Sequence, residues 1–204
     1  MTASGTGAAE GGAEAPFEYR ERLLEGMAAA LGEKEFARVT IADIARHARV
    51  SKRTFYEQFE GKQDCLLALY VASSERALAL IAGSIDPSLG LEAQIARTTR
   101  VYFSSLQERP AVLRTLLVEI LAAGPRGLEV RRQVNRRYAA LLRKVVAASN
   151  SKGRGRHMLS PSMATAVVGG LNELMLQAVE GGDLNRLRRL ARPAAELVRA
   201  AVGR

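Results

Sequence analysis

Apolar residues recur at three- and four-residue intervals through almost the whole chain, and runs of alternating β-branched residues are absent. Leu23, Leu24, Met27 and Leu31 form the first stripe and predict a helix over residues 17–31, ended by Gly32, with Phe36 packing beneath the next two helices. Ile41, Ile44, Ala45 and Ala48 make a second, shorter stripe. Thr40 stands at its cap, and Asp43, three residues on, completes a capping-box pattern. Ala48-Arg49-Val50 reads as a tight turn, after which Ser51 caps a third helix held down by Phe55 and Phe59, four apart. A fourth helix starts at Gly61-Lys62 and carries Leu66, Leu69, Tyr70, Ala77, Leu80 and Ile81 along one side.

Pro87 and Gly90 punctuate before a fifth helix over 91–108; Pro110 opens a sixth, which Gly124-Pro125 closes. In a seventh, over 127–149, a step of about 100° per residue puts Val130, Val134, Tyr138, Leu141, Leu142, Val145 and Val146 on one face. Arg132, Arg136, Arg137, Arg143 and Lys144 fall opposite, as a solvated face, whereas Arg131 and Asn135 lie on the apolar side. Residues 150–160 read as a mobile loop. The eighth helix, opening at Ser160-Pro161 and running to Gly181-Gly182, is apolar nearly all round and so predicts burial on more than one side. The ninth, over 184–202, is sharply amphipathic, and Pro193 is expected to kink it. The fold class is therefore all-α with about nine helices, preceded by a disordered tail over residues 1–16 that lacks bulky apolar groups.

Composition narrows the function. One cysteine, Cys65, excludes an intramolecular disulfide framework, and it reads as a small buried residue in a reducing compartment. His47, Cys65 and His157 have no metal-ligand spacing, and no acidic dyad, nucleophile–base pair or phosphate-cradling glycine loop stands out. We therefore expect neither enzyme, metal nor cofactor. With no apolar run of membrane length and no basic leader before Arg20, the expectation is a soluble, cytoplasmic protein with no membrane partner. The net charge of +9 sits in the wrong place to argue for nucleic acid by itself. Residues 17–64 hold nine Lys/Arg against nine Asp/Glu, and residues 97–156 hold 14 against three. The useful signal is local: Arg46, His47, Arg49, Lys52 and Arg53 follow one another with no intervening acid, at one end of the third helix.

Two short helices about a tight turn, over residues 39–58, form the helix-turn-helix arrangement whose second helix enters a major groove. The pattern Thr40, Ile44-Ala45, Val50-Ser51, Tyr56, Phe59, Lys62 and Leu66 resembles the DNA-binding domain of the TetR/AcrR family of transcriptional regulators, across residues 17–71. The resemblance implies a three-helix DNA-binding domain (17–77), an all-helical effector-binding and dimerisation domain (78–204), and a homodimer. Its function would be that of a repressor released from a palindromic operator by a small molecule. The alternative is a dimeric DNA-binding factor without small-molecule control. The chain departs from the family where Arg49 replaces a usual glycine, at a cost of about 1–2 kcal/mol in a left-handed conformation, and where Lys52-Arg53 replaces a frequent glycine or proline.

Phosphate contacts are implied by the resemblance for Thr40, Tyr56 and Lys62, the last reinforced by the amides at its helix start. Arg49 joins them from the local basic run. Lys52, Arg53 and Thr54 are the base-edge candidates, since Arg and Lys favour guanine O6 and N7, and Ser51 caps rather than reads. For a ligand, Tyr102, Phe103, Leu106, Leu117, Ile120, Tyr138, Leu141, Asn172 and Met175 supply an apolar lining with few polar groups. Arg131 and Asn135 could add a cation and an amide for an anionic ligand; the alternatives are Arg131 reaching water along its stem or pairing with Glu119 or Glu173. Leu171, Leu174, Ala178, Leu187, Leu190, Leu197 and Val198, on the last two helices, are expected to build a symmetric four-helix dimer interface.

Overall fold

The computed structural model describes residues 14–149, 158–180, 187 and 189–202. Among them the chain is all-α, with nine α-helices and no strand. In order these are α1 (Glu14–Glu33), α2 (Ile41–Ala48), α3 (Lys52–Gln58), α4 (Lys62–Gly83), α5 (Leu91–Ser105), α6 (Pro110–Ala122), α7 (Gly124–Ala148), α8 (Pro161–Glu180) and α9 (Ala191–Ala201). A 3-10 turn, Phe36–Arg38, joins α1 to α2. Helix α1 reaches back into the expected tail, the rest of which (1–13) lies outside the described residues, as do 150–157 of the expected loop and 184–186 of the last helix. The chain divides into two compact units, Met1–Leu69 and Tyr70–Arg204.

The first unit closes around Leu23, Met27, Val39, Ile44, Phe55, Phe59, Cys65 and Leu66, all buried. Phe55 has no exposed surface and meets Phe59 with ring centroids 5.7 Å apart. Burying one such side chain is worth about 1.5–3 kcal/mol, enough to hold a seven-residue helix that could not persist alone. Helix α1 lies against α2 at Gly26, where a Cβ would stand 2.6 Å from the Ile44 carbonyl oxygen and 2.9 Å from the Ala48 nitrogen. Only a hydrogen fits there. Cys65 is buried beside the Leu23 carbonyl at 3.9 Å, and burial pushes its thiol up to about 12, which removes thiolate chemistry.

The second unit holds two apolar clusters. One gathers Ile95, Val146, Leu159, Val167, Val168, Ala195 and Val198; the other gathers Phe103, Met175, Ala178, Val179, Leu187 and Ala194. Leu171 on α8 packs against both. Gln94, wholly buried, is satisfied by accepting from the Asp86 amide (2.9 Å) and donating to the Ser84 carbonyl (3.5 Å). The basic residues of α7 face outward as expected: Arg132 pairs with Glu129, Arg137 pairs with Glu75 at 2.6 Å, and Arg143 donates to the Leu159 carbonyl at 3.1 Å.

Four local expectations are corrected. Gly32 does not end α1 but lies inside it, with no neighbour near a would-be Cβ. Gly124-Pro125 opens α7 rather than closing α6: only Ala123 separates the helices, Gly124 takes φ 67, and the proline sits in the first turn, where it forfeits no hydrogen bond. Pro193 likewise occupies the first turn of α9, so the break falls at Leu190 and the proline starts a helix instead of kinking one. Finally, α4 is long and apolar enough to meet the length and composition of a membrane span, although Glu75 and Arg76 interrupt its middle.

Two glycines on α1 separate close packing from mere helix propensity. Gly26→Ala is expected to destabilise the first unit by about 1–3 kcal/mol, and Gly32→Ala to stabilise it by about 0.5–1 kcal/mol. Chemical denaturation of both variants checks this; equal effects would mean that α1 and α2 do not pack at Gly26.

Candidate nucleic-acid interface

Helix α2 begins at a completed capping box. The Thr40 hydroxyl accepts from the Asp43 amide (3.2 Å), and the Asp43 carboxylate accepts from the Thr40 amide (2.9 Å) and hydroxyl (2.7 Å). Lys34 pairs with the same carboxylate at 2.9 Å. These hydrogen bonds, that from the Thr40 side chain first, hold the Asp43 carboxyl well below the usual carboxylate range.

The helix ends in a left-handed turn. Arg49 takes φ 55 and ψ 45; its amide reaches the Arg46 carbonyl (3.2 Å), and the Val50 amide reaches that of Ala45 (3.0 Å). This is a Schellman closure, usually made by glycine. The exposed carbonyls it leaves are taken by Arg22 of α1, whose Nε and Nη2 donate to the Ala48 oxygen (3.1 and 2.8 Å) while Nη2 also reaches the Arg49 oxygen (2.8 Å). Sequence reasoning missed Arg22, because nothing in a local pattern marks a side chain 26 residues away as the clamp of this turn.

Helix α3 follows from the Ser51 cap, whose hydroxyl accepts from the Thr54 amide at 3.0 Å and meets the Thr54 hydroxyl at 2.9 Å. With Phe55 inward, Lys52, Arg53 and Tyr56 are exposed on the same short helix, Tyr56 by 60% of its surface. Thr40, Arg49 and Ser51 are exposed as well. Arg53 rests on Glu57 of the next turn through Nε at 3.1 Å.

Two expectations about charge need correcting. Lys62 does not reach outward: its ammonium donates to the carbonyls of Phe36 (3.0 Å), Ala37 (3.1 Å) and Val39 (2.9 Å), above the Phe36 ring. All three of its N–H bonds are thus taken by the turn that delivers Thr40. The basic run is free of acids only along the sequence. In space Glu33 of α1 sits 3.2 Å from His47 and 3.4 Å from Arg46, and the His47 hydrogen bond, with Arg46 beside it, lowers the Glu33 carboxyl.

In the second unit, Tyr102, Phe103, Tyr138 and Leu141 line a cavity of about 70 Å³, with Ile81, Thr98, Thr99, Leu142, Val145, Val168, Leu171 and Val198. The Tyr102 and Tyr138 rings lie 5.8 Å apart; one hydroxyl meets the Met175 sulfur at 3.5 Å and the other the Ser74 carbonyl at 3.4 Å. Burial raises both phenols above their usual range. Leu106 and Leu117 pack on the neighbouring Phe103–Met175 cluster and Ile120 is buried, all outside the cavity wall. Asn172 donates to Asn135 at 3.2 Å, so the amide expected to greet a ligand already has a partner, and Arg131 is half-buried with its charge acting on Tyr70. Of the residues expected at a dimer face, Leu171 and Val198 line this cavity, and Ala178 and Leu187 are buried in the chain's own core. Leu174, Leu190 and Leu197 remain half-buried.

A short helix that offers lysine, arginine and tyrosine after a clamped turn is the geometry of a helix-turn-helix module. Residues 23–69 match the family model described as bacterial regulatory proteins, tetR family. A curated relative, the HTH-type transcriptional regulator EthR of Mycolicibacterium smegmatis, is 29% identical over 131 residues, 63% of this chain and 53% of the relative. The match thus spans about half of that relative's length. The fold agrees with the fatty acid degradation regulator FadR from Bacillus halodurans (TM-score 0.74, 18% identity, 88% of this chain and 94% of that one). It also agrees with FadR from Bacillus subtilis, solved in complex with stearoyl-CoA (TM-score 0.71, 17% identity, 87% and 96%). A TetR regulator from Haloarcula marismortui gives a TM-score of 0.72 at 21% identity, over 92% and 100%. Residues 23–69 thus carry the tetR-family segment, within an all-α fold similar to that of solved TetR-type regulators.

Asp43 provides a pH test of the cap. Because its folded pKa is lowered, its stabilisation is present above the unfolded value near pH 4 and is lost as pH falls through the folded value. The melting-temperature gap between wild type and Asp43→Asn should therefore be widest near pH 7 and close as pH drops from about 5 toward 2. A gap independent of pH would show that the charge plays no part.

Proposed function

We propose that this chain is a DNA-binding transcriptional regulator acting as a homodimer, a repressor that leaves a palindromic operator when a small molecule binds. One observation carries this reading: α3 presents Lys52, Arg53 and Tyr56 outward on a buried Phe55 and an intact Ser51 cap. In this reading residues 17–77 act on DNA and residues 78–204 receive the effector and pair the subunits, in the cytoplasm and without catalysis. Lys52 and Arg53 read base edges. Thr40, Arg49 and Tyr56 hold phosphates, and Lys62 supports Thr40 by fastening the preceding turn. Half-sites lie about one helical turn apart, or a multiple of it. The apolar cavity, and the likeness to a regulator solved with stearoyl-CoA, support an effector with an apolar chain. Such an effector must favour the DNA-incompetent state for release to follow.

A second reading, DNA binding without small-molecule control, draws on the size of the cavity, whose 70 Å³ is well below the roughly 300–1,000 Å³ of ordinary ligand pockets.

Fluorescence anisotropy on DNA flanking the chain's own gene, across a salt series, should find sequence-dependent binding at two chains per site. Uniformly weak binding that vanishes with salt would remove the regulator reading. Apolar-chain compounds added to that complex should release the DNA, whereas their failure alongside intact DNA binding would favour the second reading. On the same DNA, Tyr56→Phe should weaken every sequence alike. Arg53→Ala should cost about 1–3 kcal/mol at one base position only, and an equal loss on all sequences would end its base-reading role.

A further inference from the structure

The outermost line of α3 carries an anion. At a step of about 100° per residue, Arg53 and Glu57 each stand within about 20° of the direction opposite Phe55, whose ring has no exposed surface. Lys52 and Tyr56 fall to one side of that line, and both are exposed. The Arg53 and Glu57 side chains are 90% and 55% exposed, and among the described residues their one polar contact is with each other, Arg53 Nε donating to Glu57 Oε1 at 3.1 Å. Both terminal nitrogens of the guanidinium, Nη1 and Nη2, keep their N–H bonds unused.

Helix stability does not account for this carboxylate. Glu57 lies in the last turn of α3, where the helix dipole disfavours an anion, and an exposed pair four residues apart stabilises a helix by a factor of only about two. DNA affinity does not account for it either. A helix entering a groove brings its outermost line nearest the bases, between two phosphate backbones, where a negative side chain weakens binding to every sequence alike. What Glu57 does supply is a fixed acceptor for Nε. An arginine without one follows any phosphate or base acceptor within reach of its stem, whereas one held at Nε gives up most of those rotamers.

From this arrangement we infer that Glu57 is a positioning residue for base recognition. It holds the Arg53 guanidinium by Nε so that Nη1 and Nη2 meet O6 and N7 of one guanine as a bidentate fork. General affinity is lowered and discrimination at that base pair is raised. The pair is stronger in the groove than in solvent, because the bases displace water from around it. The inference rests on the DNA reading proposed above and names the residue that makes Arg53 selective.

A site selected by the wild-type chain from a pool of randomised duplexes, together with its single-base-pair variants, separates affinity from discrimination when titrated by anisotropy. Arg53→Ala locates the base pair that Arg53 reads. At that pair Glu57→Ala should reduce discrimination at least about fivefold, a large part of what a bidentate contact supplies. Its binding to unrelated duplexes should rise about two- to tenfold as the anion leaves the face. Glu57→Gln, whose amide oxygen still accepts from Nε, should gain the same general affinity and keep most of the discrimination. Melting temperatures of both variants should stay close to that of wild type. Undiminished discrimination in Glu57→Ala, or a loss at a base pair other than the one Arg53→Ala identifies, would overturn the positioning role with DNA reading intact. An Arg53→Ala variant that weakens all sequences alike would overturn it as well. If wild type enriched no sequence, the DNA reading itself would fall and the inference with it.

Discussion

Everything the first unit presents outward depends on one close approach, that of α1 to the end of α2. Gly26 brings the two backbones together, and one turn earlier on α1 Arg22 reaches the carbonyls of Ala48 and Arg49. Without that guanidinium the left-handed Arg49 would carry its conformational cost of about 1–2 kcal/mol with its carbonyl and that of Ala48 left to water. With it, the turn has one geometry, and Ser51 starts α3 in a fixed direction. A seven-residue helix has little stability of its own, so its orientation is borrowed from this contact and from Phe55.

This explains which parts of the unit are legible in the sequence. The caps at Thr40 and Ser51 and the Phe55–Phe59 pair involve residues three or four apart, and each formed as the pattern implied. Arg22, Lys62 and Glu33 act on groups 13 to 27 residues away, and no local period encodes that. The lysine misleads because two signals, a family resemblance and a helix start, both point to phosphate, while the carbonyls of the 3-10 turn lie closer. The glycine and proline errors share another cause. A linear pattern marks Gly32, Pro125 and Pro193 as breaks in helices, yet all three tolerate a helical position given their neighbours, the prolines because a first turn needs no amide from them.

In the second unit the helices are legible and their partners are not. An amphipathic stripe states that something covers it, without stating whether a neighbouring helix or a second chain does so. Ala178, Leu187 and Val198 go to the chain's own core for that reason, once the break at Leu190 lets α9 lie against α5 and α8. Turning Leu171 and Val198 inward also moves the cavity: its wall draws on α9 and on the threonines of α5, and not on Asn135, Asn172 or Arg131.

The distribution of charge follows the same logic. A net charge of +9 reads as an attraction for nucleic acid only if the surplus is near α2 and α3, and here it is not. Around α2 and α3 most cations are matched by a carboxylate or by backbone carbonyls: Lys34 by Asp43, Arg46 by Glu33, Arg53 by Glu57, Lys62 by three carbonyls. A surface so balanced exerts a weak long-range pull on a polyanion, and any selectivity must come from short-range contacts by the exposed face of α3. In the second unit the surplus is spread over the solvated face of α7 and the outer side of α5 and α9, and much of it is matched in the same way: Arg132 by Glu129, Arg137 by Glu75, Arg192 by Glu196 and Arg199 by Glu92.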